Sequence, residues 1–181
     1  EDGGQTWFTI TLAQNYSIGQ IDFIDQSVGW AVASHYDDNT ENGNILKTMD
    51  GGKTWSLQKR IGNRHFLNSI YAVNDSVVYV AGDSIIFKTS DGGASWMDIS
   101  PSDIKTSHQS ICFLNDKTGF VTGYFHDDVR LYSYIVRTSD GGITWQRWIL
   151  PNTYPLRDLQ FIDDTTGYFI CHNDSGSVLY E

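Results

Sequence analysis

One six-residue pattern occurs four times along the 181-residue chain and constrains its fold more than any other feature. The pattern reads Asp-Gly-Gly, one variable residue, Thr or Ser, and then Trp, and its copies begin at Asp2, Asp50, Asp91 and Asp140. The Trp residues that end successive copies lie 48, 41 and 49 residues apart. A repeat period of about 40–50 residues is typical of architectures in which each repeat is one supersecondary unit.

Each repeat contains four short segments that are rich in β-branched and aromatic residues and are separated by turn residues. In the first full repeat we place strand A around residues 21–24, strand B at 29–33, strand C at 45–48 and strand D from Trp55. The 19 Asp against 3 Glu, with 17 Gly, also favour turns over helices. The sequence therefore predicts an all-β protein, a β-propeller of four-stranded antiparallel blades with four repeats in this chain.

The Asp-Gly-Gly segment lies between strands C and D, where it predicts a hairpin turn. The Asp carboxylate can accept backbone N–H bonds and Gly adopts positive φ without steric cost, while the Trp offers a large apolar face to the neighbouring sheet. A catalytic or calcium-binding residue has no reason to recur once per blade. We therefore interpret twelve residues as structural: Asp2, Gly4, Trp7, Asp50, Gly52, Trp55, Asp91, Gly93, Trp96, Asp140, Gly142 and Trp145.

Two further sets of residues recur at equivalent positions. Strand B carries one aromatic residue per repeat, which predicts packing between blades: Trp30, Tyr79, Phe120 and Tyr168. Strand C carries one basic residue in three repeats: Lys47, Lys88 and Arg137. This recurrence makes Arg137 a scaffold residue rather than a substrate-binding arginine.

These motifs resemble the Asp-box, or bacterial neuraminidase, repeat. The fuller pattern, Phe-x-Asp-x-x-x-Gly-Trp-Ala-Val followed by Ile-Leu-x-Thr-x-Asp-Gly-Gly-x-Thr-Trp, is most similar to propellers related to photosystem II assembly and stability factors. The resemblance covers the whole chain and implies a propeller with a role in protein interaction or assembly. It also implies export, since such domains are widespread in exported bacterial proteins.

The repeats suggest a single propeller domain or propeller segment that spans residues 1–181. We expect an N-terminal strand D, then blades at about 8–60, 61–100 and 101–150, and a last blade at 151–181 that residues 1–7 complete. Three arrangements remain open. The four blades close alone, they belong to a larger propeller, or two copies form one ring.

The D-to-A and B-to-C connections share one face of a propeller, and in this chain they carry most of the candidate binding residues. Arg beside aromatic rings suits a carboxylate or a sugar, although solvated loops contain the same residue types. We take this face as the candidate binding face: His35, Tyr36, Arg60, Arg64, His65, His126, Tyr154 and Arg157.

We predict long B-to-C loops in the first and third full repeats, and each contains an Asp-Asp pair. The pairs are Asp37 with Asp38 and Asp127 with Asp128. Oxygen-rich loops that face each other across the axis could hold Ca²⁺, and two solvated acidic loops are the alternative. We expect no other cofactor.

The residues of known catalytic motifs are missing from the sequence. A sialidase would need three clustered arginines and a Tyr nucleophile with a Glu partner, yet the only Glu away from the termini is Glu41. No phosphate-binding loop or nucleophile elbow is visible. We predict a non-catalytic protein-interaction or assembly module in an extracellular or periplasmic location. The alternative is a glycan-binding propeller or part of an Asp-box glycoside hydrolase.

The charge of the chain excludes some partners. Its 22 acidic and 12 basic residues give a net charge of −10, which disfavours nucleic acid, and no apolar run is long enough to span a membrane. We expect a protein partner and leave a glycan and a homodimer open. Cys112 and Cys171, with a spacing that fits neither a metal site nor a disulfide-rich scaffold, predict two buried free thiols.

Overall fold

The computed structural model describes residues 4–7, 9–10, 16–37, 40–62, 65–103, 106–126, 131–150, 155–163, 165–173 and 176–180. The regular secondary structure in these ranges consists of β-strands. None of the described residues forms a helix long and apolar enough to cross a membrane. The strands are β1 (Tyr16–Phe23), β2 (Gly29–Asp37), β3 (Thr40–Thr48), β4 (Ser56–Ile61), β5 (Leu67–Ala72), β6 (Val78–Gly82), β7 (Ile85–Thr89), β8 (Met97–Asp98), β9 (Ser107–Phe113), β10 (Gly119–His126), β11 (Leu131–Thr138), β12 (Gln146–Leu150), β13 (Leu156–Phe161), β14 (Gly167–Asn173) and β15 (Gly176–Tyr180).

The strands form four antiparallel sheets, each paired in chain order. The first sheet contains β1 to β4, the second β5 to β8, the third β9 to β12, and the fourth β13 to β15. This arrangement confirms the predicted all-β propeller with four-stranded antiparallel blades. Residues 4–7 and 9–10 belong to no strand, so the pairing of the N-terminal segment with the fourth sheet stays a prediction.

The first strand of each sheet packs beside the first strand of the next, β1 on β5, β5 on β9 and β9 on β13. Such inner strands have a hydrogen-bonded neighbour on one edge only, so their free N–H groups need other acceptors. Side chains of the preceding sheet supply them: Gln20 Oε1 accepts from Ile70 N at 2.8 Å, and Ser69 Oγ accepts from Ile111 N at 3.1 Å. Within the described residues, β13 and β1 are not packed together in this way.

The hydrophobic core lies between consecutive sheets. Trp30 is fully buried against Ile70 and Val80 of the second sheet, and Tyr79 is fully buried against Phe113 and Val121 of the third. The predicted packing of the strand B aromatics between blades is therefore confirmed at these two positions. Cys112 and Cys171 are buried free thiols, as predicted.

The turns between the first and second strands use one Asp or Asn in every sheet. Asp25 Oδ1 accepts the backbone N–H groups of Ser27 and Val28, at 2.6 and 2.7 Å. The same pair of bonds forms at the equivalent residues of the other sheets: Asn74, Asn115 and Asp163. This turn chemistry accounts for part of the acidic composition.

The prediction of long B-to-C loops in the first and third sheets was wrong. Strand β2 continues to Asp37 and β3 resumes at Thr40, while β10 continues to His126 and β11 resumes at Leu131. Cross-strand ring contacts support the added pairs: Phe125 stacks on Tyr132 with centroids 5.1 Å apart. The fourth strands also begin one residue after the repeat Trp, because this Trp still belongs to the turn.

Candidate functional site

The Asp-box carboxylates are occupied by their own hairpins. Asp50 Oδ1 accepts from Thr48 Oγ1 at 2.8 Å and from Thr54 N at 2.9 Å, and its Oδ2 accepts from Thr54 Oγ1 at 2.6 Å. The hydrogen bonds from Thr54 are the main reason that the pKa of Asp50 is lowered to about 2. Gly51 and Gly52, at φ of +73° and +85°, take the left-handed conformation that the turn requires.

The same bonds recur in the next two boxes. Asp91 accepts from Thr89 and Ser95, Asp140 accepts from Thr138 and Thr144, and the pKa of each carboxylate is lowered to about 2. Ionised carboxylates that accept several bonds within one turn have little capacity left for a substrate or a metal. Asp2 lies outside the described residues.

The strand pairing places the candidate binding residues at the B-to-C end of the sheets. His35 lies near the end of β2 with its ring 4.8 Å from Tyr16, and exposed His126 ends β10 with its ring 5.9 Å from Tyr124. Arg60 is exposed near the end of β4. Only the backbone of Tyr36 and Asp37 is described, in β2; Arg64, Tyr154, Asp38, Asp127 and Asp128 lie outside the described residues. The calcium site therefore stays a prediction.

Arg157 is exposed and sits at a β-bulge in the inner strand of the fourth sheet. The register shifts between Leu156 and Asp158, so Arg157 has no cross-strand partner. The other inner strands carry bulges at equivalent residues: Gly19, Asn68 and Gln109. Only the fourth sheet places a charge there, so Arg157 is not a scaffold residue repeated once per blade.

His65 belongs to a polar network at the junction of the second and third sheets. Its Nδ1 lies 2.9 Å from the carbonyl oxygen of Asp83, and Asp83 Oδ1 accepts from Ser107 Oγ at 2.9 Å. Ser84 N donates to Thr106 O at 2.8 Å, and Thr106 Oγ1 donates to the Tyr134 hydroxyl at 2.9 Å. These bonds hold the tight turn of the second sheet against the start of β9.

The network ends at a fully buried histidine. Tyr134 OH lies 2.6 Å from His108 Nδ1, and Asn68 Nδ2 donates to the His108 carbonyl at 2.7 Å. Burial lowers the pKa of His108 to about 4, so the ring is neutral at pH 7, and burial also raises the pKa of Tyr134. The hydrogen bond with Tyr134 uses Nδ1 of the ring, and among the described residues the buried Nε2 has no hydrogen-bond partner. This group therefore supports the face structurally and carries no charge there.

Sequence reasoning missed His108 and Tyr134, although one signal could have found His108. It stands where the other three inner strands have apolar residues: Ile18, Leu67 and Leu156. A polar residue at a position that is apolar in every other repeat is a departure from the scaffold pattern.

A cavity of about 220 Å³ lies among the four inner strands. Its carboxylates are Asp22, which accepts from Ala72 N at 2.7 Å, and Asp158, which accepts from Ser110 Oγ at 3.1 Å and from Leu159 N at 2.9 Å. Burial raises the pKa of Asp22. Among the residues that the structure describes, no three His, Cys, Asp or Glu side chains are close enough to hold a metal ion. The cavity thus offers hydrogen-bonding groups rather than a metal centre.

Comparison with known families gives a match for the repeats described above. The family model of photosynthesis system II assembly factor YCF48 matches residues 2–103, more than half of the chain. The chain belongs to this family. No curated protein matches it in sequence.

Solved structures show the same fold as this YCF48-family chain. A structure of YCF48 bound to D1 peptide is similar with a TM-score of 0.72 and 24% identity, over 95% of this chain and 53% of that chain. The GH74 enzyme of Niastella koreensis has a TM-score of 0.61 and 16% identity, over 90% and 28% of the two chains. The GH74 xyloglucanase of Xanthomonas campestris has a TM-score of 0.58 and 11% identity, over 97% of this chain and 37% of that chain. The chain thus spans about half the length of the YCF48 chain and less of the two enzymes.

Proposed function

We propose that this chain is a non-catalytic, exported module that binds an extended peptide segment of a protein partner during assembly. The observation that carries the proposal is its membership of the YCF48 family, one of whose structures holds a D1 peptide. A propeller suits this role because its rigid blades hold the short connections of one face in fixed positions.

The candidate binding face supports an acidic segment or a chain terminus as the ligand. The B-to-C connections of this face contain the Asp37–Asp38 and Asp127–Asp128 pairs, while exposed Arg60 and Arg157 lie on it together with His65 and supply the cationic groups for such a ligand. A guanidinium binds a carboxylate with two parallel hydrogen bonds, so it fixes the orientation of the carboxylate and also adds affinity. The hydrogen bonds around Asp83 and Tyr134 hold the backbone beneath His65 in place.

The bonding of the carboxylates in the part of the chain that the structure describes supports the non-catalytic part of the proposal. The described Asp-box carboxylates are bonded within their hairpins, and the two carboxylates of the central cavity accept backbone or hydroxyl donors. Neither group shows a nucleophile with an adjacent base, which acyl or glycosyl transfer would need.

Peptide binding can be measured directly by fluorescence anisotropy. The probe is a fluorescein-labelled ten-residue peptide rich in Asp and Glu with a free C-terminus, compared with its C-terminal amide and with an Asn/Gln version. We expect the acidic peptide to bind best and Arg157→Ala to weaken it about tenfold, the size of one lost charge-assisted bond.

The matched controls remove basic residues from the opposite face. Lys53→Ala and Lys117→Ala change the net charge by the same amount as Arg157→Ala, and both side chains are exposed. Equal weakening by all three variants would mean non-specific attraction and would contradict a site at Arg157. Failure of every peptide to bind would contradict the proposed function.

A glycan ligand is the second candidate, because two of the similar folds are GH74 enzymes. Incubation with xyloglucan, followed by a reducing-sugar assay, separates the two proposals. We expect no release of reducing ends. Continued release of reducing ends by the purified protein would contradict the non-catalytic proposal and would support a glycoside hydrolase.

A further inference from the structure

The ring of His65 is held on the candidate binding face by a hydrogen bond to the backbone. Its Nδ1 lies 2.9 Å from the carbonyl oxygen of Asp83. A carbonyl oxygen can only accept, so Nδ1 carries a proton and donates this bond. In the neutral ring the other nitrogen, Nε2, then has a lone pair and no proton. His65 therefore presents an acceptor to a ligand while it is neutral, and a donor only after it gains a second proton.

The backbone that carries His65 runs between two glycines of neighbouring sheets. A Cβ added at Gly43 of β3 would lie 2.6 Å from the His65 carbonyl oxygen, and one added at Gly82 of β6 would overlap the Phe66 carbonyl oxygen. Only a residue without a side chain allows an approach this close. The narrow gap between β3 and β6 therefore limits the movement of the backbone at His65.

The carbonyl of Asp83, which accepts this bond, is also held in place. Asp83 N donates to the Phe66 carbonyl at 2.9 Å, and the Asp83 carboxylate accepts from Ser107 Oγ at 2.9 Å. The next residue, Ser84, has φ of +59° and donates its N–H to Thr106 O at 2.8 Å. A residue other than glycine keeps this left-handed conformation only where the surrounding structure holds it. The turn is therefore a preorganised acceptor that keeps the proton on Nδ1.

The charged and titratable groups of the neighbouring elements leave Nε2 of His65 available. Strand β4 carries the basic residues Lys59 and Arg60, and the residues of β3 nearest the gap are asparagines. The Asp83 carboxylate accepts from a serine of the third sheet, and His108 of β9 is fully buried with its pKa lowered to about 4 by that burial. Among the described residues, none forms a hydrogen bond with His65 Nε2.

We propose that His65 binds a carboxylate of the ligand as an imidazolium, so that an acidic segment binds together with one proton from the solvent. This rests on the proposed function for the identity of the ligand. A neutral His65 would direct the Nε2 lone pair at the carboxylate, and two acceptors repel each other. Once Nε2 is protonated, it donates to the carboxylate while Nδ1 still donates to Asp83, and a charge-assisted bond of this kind is among the stronger hydrogen bonds.

Proton uptake makes the affinity depend on pH in a defined direction. The complex holds one proton more than the separate molecules, so a lower pH favours the complex. Peptide carboxylates and the arginines of the face keep their charges between pH 8 and 5.5. Over this range we expect the dissociation constant to fall about tenfold, because histidine is the side chain that gains a proton there. The acidic segment therefore binds more tightly in mildly acidic solution.

Isothermal titration calorimetry of the full chain tests the proposal. The probe is an unlabelled, N-acetylated ten-residue peptide rich in Asp and Glu. Titrations at pH 7 in MOPS and in Tris, whose heats of ionisation differ, count the protons that are taken up with each peptide. We expect between about 0.5 and 1 proton for the wild type. Titrations from pH 8 to 5.5 measure the fall in the dissociation constant.

Two glutamine variants identify the histidine that takes up the proton. His65→Gln supplies an amide donor that does not titrate, so its binding should take up no proton and should not vary with pH. His126→Gln is the matched control, because His126 is an exposed histidine of the same face whose ring lies 5.9 Å from Tyr124. We expect this control to keep the proton uptake of the wild type.

Nitrogen-15 NMR of the histidine rings of the wild type adds a measurement that needs no variant. In the free chain at pH 8 we expect the proton of His65 on Nδ1. On addition of the peptide at pH 7 we expect Nε2 to be protonated as well.

Different results overturn this proposal and the proposed function. Binding without proton uptake, or equal uptake by the wild type and His65→Gln, overturns the role of His65 and leaves the peptide-binding function in place. A neutral His65 with its proton on Nε2 overturns that role too. Failure of every acidic peptide to bind at any pH contradicts the proposed function and this proposal together.

Discussion

The Lys47 ammonium donates to the Gly92 carbonyl, 2.9 Å away, and so ties strand β3 of the first sheet to the Asp box of the second. The same ammonium lies 4.5 Å over the Trp30 ring, and Trp96 of that Asp box packs on this ring. The box is therefore both the turn of its own sheet and part of the contact with the preceding sheet. One motif per repeat thus specifies local and long-range structure together.

Replacement of Lys47 by Met tests the contribution of this tie. Met keeps the aliphatic stem over Trp30 but has no donor for the Gly92 carbonyl. We expect the free energy of unfolding to fall by about 1–2 kcal/mol, the loss of one hydrogen bond and a cation–π contact. Urea denaturation followed by Trp fluorescence measures it.

Lys53→Met is the control for this substitution, because Lys53 is exposed in the Asp box of the first sheet, which begins at Asp50, and contacts no neighbouring sheet in the bonds described. We expect it to change stability by less than about 0.5 kcal/mol. Equal losses for the two variants would show that the Lys47 bond adds nothing to stability.

Gly93→Ala tests the close approach of a box to its neighbour. Gly93 has φ of +97°, and an added Cβ would lie 2.7 Å from Trp30 Cη2. Backbone strain and the displaced ring should together lower the free energy of unfolding by at least about 2 kcal/mol. The measurement is thermal or urea unfolding of the purified variant.

Gly62→Ala is the matched control, since no atom lies within 4 Å of a Cβ built there. It should leave stability within about 0.5 kcal/mol of the wild type. A similar loss at both glycines would show that the contact with Trp30 is not the cause of the loss at Gly93.

His108 predicts a pH dependence between about 6.5 and 4. Its pKa is lowered from 6.5 to about 4 by burial, so the unfolded chain binds a proton that the folded chain rejects. The contribution of neutral His108 to the free energy of unfolding is fully present above about pH 6.5. It falls by about 3 kcal/mol as the pH drops to about 4. Urea denaturation at intervals of half a pH unit measures this slope.

His108→Gln separates this effect from other titrations. Gln has an amide that can accept from Tyr134 and does not titrate, so the slope between pH 6.5 and 4 should flatten even if the variant is less stable overall. A slope identical to that of the wild type would show that His108 is not its source.

The repeat was sufficient to predict the sheets because its residues form hydrogen bonds and turns within a few positions of one another along the chain. Asp50, Gly52 and Thr54 specify a turn within five positions, and their spacing along the chain then specifies a blade. The extension of β2 to Asp37 escaped prediction because polar residues in a two-stranded hairpin read as a loop. The network of Tyr134 with His108 escaped because it joins two sheets, and such a pair leaves no periodic trace. The exact placement of the candidate binding residues also depends on how neighbouring sheets pack, so the sequence does not show it.

The Asp boxes predict a second loss of stability at lower pH. The pKa values of Asp50, Asp91 and Asp140 are lowered from 3.8 to about 2 by hydrogen bonds in their turns. Their contribution is present above about pH 4 and disappears as the pH falls toward 2, because protonation is then easier in the unfolded chain. Asp91→Asn keeps an acceptor for Ser95 but does not titrate. It should therefore be less stable than the wild type at pH 6 and approach it at pH 2. A constant difference between the two proteins from pH 6 to pH 2 would show that the charge of Asp91 does not stabilise the turn.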